Sequence, residues 1–182
     1  MKKISSVIML SLASLSVASQ AIAAPNEAKL AFDAARDQAG ATYKAARAEC
    51  DAITGNPKDV CLAEAKAVRV HAEASATAQY KNTLKAYTKA RIQIAGANYD
   101  LDKVRCAALT GNEKDVCVKQ AKATKIAALA DAKADKKVIE ARADARADKR
   151  GAEYKVALEK CDALAGSAKD QCVSAAKARV GK

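Results

Sequence analysis

The chain has 182 residues, with 32 Lys and Arg against 21 Asp and Glu, for a formal net charge of +11. By count 51% of it is hydrophobic, yet aromatics supply only 3% and tryptophan is absent. Most of the apolar count is alanine, which favours helix and buries little area. A thick globular core is therefore excluded, and helix faces without a pocket make poor active sites.

Residues 1–23 read as a secretory signal. Lys2 and Lys3 form a basic start, an apolar run extends from Ile4 through Val17, and Ala21-Ile22-Ala23 is an A-x-A cleavage site. The run is too short and too rich in Ser and Ala for a membrane span. No cysteine follows the cleavage site to carry a lipid. The expectation is a mature chain from Ala24 with no transmembrane segment. It keeps 30 basic and all 21 acidic residues, a formal charge of +9. An even cysteine count agrees with export to an oxidising space, here the periplasm of a Gram-negative cell.

Three copies of one stretch organise the mature chain. They are Cys50-Asp51-Ala52-Ile53-Thr54-Gly55-Asn56-Pro57-Lys58-Asp59-Val60-Cys61, Cys106 through Cys117, and Cys161 through Cys172. Gly55, Gly111 and Gly166 suit a left-handed residue after a helix C-terminus. Asn56, Asn112 and Ser167 then suit an N-cap, with Asp59, Asp115 and Asp170 in the first turn of the next helix. Each copy thus predicts a tight αα-hairpin with almost no loop. The cysteines flank each turn symmetrically, so the expected bridges are Cys50–Cys61, Cys106–Cys117 and Cys161–Cys172. The rival reading is a thiolate metal site. It would need two hairpins to pool four cysteines, since His71 is the only histidine. A redox role lacks the CxxC spacing.

Between the turns nothing stops a helix firmly. The expected helices are 26–54, 57–110, 113–165 and 168–180, with bends near Asn82, Gly96 or Gly151. The fold class is all-α: long antiparallel helices joined by three disulfide-closed hairpins in a coiled-coil-like bundle. Residues 24–182 form one elongated domain, its repeats spaced about 55 residues apart. Tyr43, Tyr99 and Tyr154 each precede a cysteine by seven residues, and Ile53, Leu109 and Leu164 follow it by three, which predicts a buried seam. Tyr80, Leu84, Tyr87, Ile94 and Leu101 predict another. In the third long helix Glu140, Asp144 and Asp148 form one row. Arg142, Arg146 and Arg150 form a second, about 200° away. This pair of rows is the candidate interaction face; its plainer reading is a solvated mixed-charge surface.

No P-loop, GxGxxG, GxSxG or HExxH motif occurs, and no cofactor is expected. The positive charge suits anionic envelope surfaces or acidic envelope proteins. It is spread among acids and lacks aromatics for base stacking, so specific nucleic-acid binding is not expected. His71 is expected on the surface.

At Ala65-Lys66-Ala67, Ala132-Lys133-Ala134-Asp135-Lys136-Lys137 and Ala141-Arg142-Ala143-Asp144 the chain resembles the Ala/Lys/Asp-rich rod of TolA-type envelope proteins. It also resembles small exported proteobacterial envelope proteins of this composition that carry GN-x-KD-x-C turns. The membrane anchor and globular end domain of TolA have no counterpart here. The resemblance implies a helical shape and an envelope location. The expected function is a non-enzymatic periplasmic structural or interaction protein. The alternatives are an ATP-independent periplasmic chaperone of the Spy type, a polyanion-binding protein, and a metal or redox thiol protein. Oligomeric state is left open.

Overall fold

The computed structural model describes residues 25–181; the signal expected over residues 1–23 lies outside them. The described residues form five helices and no strand: α1 Pro25–Cys50, α2 Asn56–Lys81, α3 Leu84–Cys106, α4 Gly111–Cys161 and α5 Gly166–Val180. None is long and apolar enough to cross a membrane.

The three expected bridges are present, with Cα–Cα distances of 5.7, 5.7 and 5.6 Å. All six cysteines are bridged. The first cysteine of each pair is fully enclosed, at 0–1% exposure.

The turns differ in detail from the expectation. Each first helix ends at its cysteine, four residues early. The chain then tightens through Ile53 N–H to Cys50 O (3.1 Å), Leu109 N–H to Cys106 O (3.1 Å) and Leu164 N–H to Cys161 O (3.0 Å). Crossing the roughly 8–10 Å between antiparallel helix axes takes more chain than one glycine supplies. Ile53, Leu109 and Leu164 therefore leave the helix face and stand exposed at the hairpin tips. Gly55, Gly111 and Gly166 do have positive φ (67°, 54° and 55°), but they open the second helix and do not close the first. The N-cap position falls at Gly55, Thr110 and Ala165, without a side-chain cap bond. Asn56 donates its side-chain N–H to Val104 O instead (2.9 Å), tying the first turn to the last turn of α3.

Helix two is in fact two helices. Asn82 takes the left-handed conformation (φ 42°, ψ 44°), which Asn tolerates, and Thr83 caps α3 by accepting from the Ala86 N–H at 3.2 Å. α3 thus runs back along α2. Gly96 and Gly151, the other bends considered, lie within continuous helix. One repeat beyond Lys81-Asn82-Thr83 stands Lys137-Val138-Ile139. β-Branched residues resist the left-handed turn, so α4 runs straight on for 51 residues, about 76 Å.

Each helix packs only on its neighbours in sequence. The core is almost wholly alanine and cysteine; its one cluster joins Ala74 and Ala78 of α2 to Ala90 of α3, with Ile94 against them. Buried Thr88 satisfies its hydroxyl on Leu84 O (2.9 Å). With so little apolar area, a covalent closure counts heavily. Replacing Cys50 and Cys61 together by alanine is expected to lower stability by about 2.5–3 kcal/mol, read from urea unfolding followed by circular dichroism. Thr83→Ala is expected to remove about 1 kcal/mol in the same assay.

Candidate functional site

α4 divides into three lengths by what lies beside it. Near its start Ala121 and Ala132 are buried against α3, Lys125 lies over the Tyr99 ring (4.7 Å), and Asp135 pairs with Arg91 (2.6 Å). Its end is bound to α5 by Cys161–Cys172, where Ala176 is buried. Between them every residue from 137 to 150 is exposed. α3 starts only at Leu84, level with about Ile139 in the register that Cys106–Cys117 and Arg91–Asp135 set, and α5 stops at Val180, so neither antiparallel neighbour covers most of this length.

All six residues of the candidate face stand on that bare length. Glu140 pairs with Lys136 at 2.7 Å, one helical turn back. Among the described residues, none of Arg142, Asp144, Arg146, Asp148 and Arg150 makes an ion pair. At about 100° per residue the acidic and basic rows lie on opposite sides of the rod. Val138 and Ile139 are each 47% exposed beside them. The bridging cysteines, by contrast, are structural and sit at the turns.

The tyrosine seam is half-buried and carries charge contacts that the heptad pattern did not disclose. Arg47 and Arg69 lie 5.8 and 5.2 Å from the Tyr43 ring centre, one from its own helix and one from across the hairpin. Lys103 and Lys125 repeat this at Tyr99, at 5.6 and 4.7 Å. The signal was in the sequence: Arg47 and Arg69 follow Tyr43 at the same two spacings at which Lys103 and Lys125 follow Tyr99, whereas Tyr154 is followed there by Leu158 and Val180. Asp51–Lys58 (3.3 Å) and Asp162–Lys169 (3.0 Å) likewise span the first and third turns.

The second expected seam is only partly formed. Ile94 joins the core cluster, while Tyr80 and Tyr87 are exposed, because the turn at Asn82 breaks the period between them. Tyr80 stacks on Phe32 of α1 instead, with ring centres 4.8 Å apart. His71 is not a lone surface residue: it is half-buried, and its Nε2 lies 2.8 Å from Asn98 Oδ1 of α3. Arg105 also ties α3 to α2, through Glu64 at 2.7 Å; that hydrogen bond is the main cause holding its guanidinium above its ordinary pKa. Beside this join an open groove of about 410 Å³ is lined by Ala63, Ala67, Val70, Gly96, Leu101 and Val104, among others.

No family model matches the chain, and neither a curated protein nor a solved structure does.

Tyr99→Leu keeps an apolar body but removes two cation–π contacts. It is expected to cost about 1–2 kcal/mol of stability, measured by chemical unfolding.

Proposed function

We propose that this chain is an exported, non-enzymatic structural and interaction protein of the cell envelope. The observation that carries the reading is the bare length of α4. A rod of about 14 residues, roughly 21 Å, is held between two bridge-closed hairpins and shows acidic charge on one side and basic charge on the other. Three disulfides fit an extracellular or periplasmic setting. The formal charge supports contact with acidic envelope proteins or anionic envelope surfaces. A second reading, a chaperone for unfolded chains, is favoured by the open groove between α2 and α3, where Ala63, Ala67, Val70, Leu101 and Val104 offer apolar surface.

A photo-cross-linking residue placed in living cells separates these. At Ala143, on the bare rod, it is expected to give discrete adducts, while at Ala132, buried against α3, it gives none. The protein carrying those adducts is expected in the periplasmic fraction with all cysteines blocked to alkylation. A cytoplasmic protein with free thiols, or a rod without adducts, contradicts the proposal. Adducts from Ala63 to many unfolded clients would favour the chaperone.

A further inference from the structure

The exposed stripe of α4 has a buried counterpart within the same molecule. Ala74, Ala78 and Ala90 form the seam that closes α2 on α3. Displaced by one repeat, as Cys61 is to Cys117 and Cys106 to Cys161, they become Ala130, Ala134 and Ala145. All three are exposed, as are Val138 and Ala141 between them. At about 100° per residue these five lie within a quarter turn of one another, on the side of α4 opposite Ala121 and Ala132, and so away from α3. In α2 and α3 the two halves of the seam meet because the chain turns at Asn82. In α4 the same position holds Val138-Ile139, the helix is unbroken, and its two halves cannot meet.

Charge tells what would meet them. One flank of the stripe carries Lys133 and Lys137 before this point, then Glu140 and Asp144 after it. The other flank carries Asp131 and Asp135 before, then Arg142 and Arg146 after. Both flanks therefore reverse sign at Val138-Ile139, in opposite senses. In an antiparallel pair of helices each flank faces the same flank of the partner, running the other way. Lys137 then faces Glu140, Lys133 faces Asp144 and Asp131 faces Arg146, while Asp135, which pairs with Arg91 in its own chain, comes level with Arg142. Every one of these juxtapositions is attractive; a parallel pair would match the same charges flank to opposite flank, so the antiparallel sense is taken from the way α2 and α3 meet.

We infer that the bare face of α4 docks a second copy of this chain, antiparallel, about a two-fold axis near Val138-Ile139. The pair makes between molecules the contact that α2 and α3 make within one, as a swapped element does when its hinge is straightened. This rests on reading α4 as an interaction element, and it commits that element to one occupant.

The test is the mass of the purified, oxidised protein by sedimentation across a concentration series at low and at high salt. The native chain is expected to reach dimer mass at low salt and to dissociate as salt rises. Lys133→Glu with Lys137→Glu sets like charges against each other and is expected to weaken the dimer by about tenfold or more. Adding Glu140→Lys and Asp144→Lys restores opposite charges only in the antiparallel arrangement, and is expected to recover the dimer. In a parallel pair the four changes together would repel. Far-ultraviolet circular dichroism confirms that each variant remains helical. A native chain that stays monomeric at every concentration and salt overturns the inference, as does a dimer that ignores the first pair of changes or is not rescued by the second. A monomer whose Ala143 position still cross-links in cells leaves the proposed function standing while removing self-pairing.

Discussion

Helices that meet through alanine can approach closely but gain little from it, because a methyl group removes so little apolar surface from water. That constraint governs the whole molecule. The buried residues are alanine and cysteine with a single threonine, and no leucine, isoleucine or phenylalanine is fully enclosed among the described residues. Stability is therefore placed at the ends of helix pairs. Each hairpin is closed by a bridge, and the turns are tightened by short backbone bonds, by Asn56 reaching Val104 O, and by ion pairs across two of the three turns. Along the helices the joins are few and local: a cation over a tyrosine, Glu64 with Arg105, Arg91 with Asp135.

A structure held at its turns is sensitive to what occupies each turn. Two places one repeat apart illustrate this. Asn82 enters the left-handed region and Thr83 caps the next helix, so α3 returns and buries the alanine seam. Val138 and Ile139 cannot do so cheaply, and α4 passes straight through. Two side chains thus decide whether a length of helix becomes core or becomes a rod with an uncovered face. The charges along that rod are arranged about the same point, which ties the missing turn to the surface it leaves behind.

Much of this was legible in the amino-acid order. The triplicated Cys-x10-Cys stretch, with glycine near its middle and one pairing per copy, leads directly to the bridges and to antiparallel helices. Composition alone leads to a thin alanine core. The loop lengths were not legible, because the glycines were positioned as helix stops although they begin helices; a positive φ serves either end. The Asn82 turn was visible only as a candidate bend beside Gly96 and Gly151. What distinguishes it is the neighbouring threonine, able to cap, and neither glycine has such a partner beside it. The charged face was visible as two rows of like charge. That it lies beyond the reach of α3 and α5 depends on where those helices begin and end, which local pattern does not reveal.

The straightness of α4 is the point on which the rod, its exposed face and the pairing across Val138-Ile139 all turn. Pulsed electron spin resonance between labels on non-cysteine unnatural residues at Lys122 and Glu153, with labelled chain diluted in unlabelled chain, measures it directly. A continuous helix predicts a narrow distance distribution centred at about 46 Å, the helical rise between the two positions at about 1.5 Å per residue. A distribution centred at about 10 Å, the spacing of two packed helices, would show that the chain turns back at this point as it does at Asn82, and would contradict it.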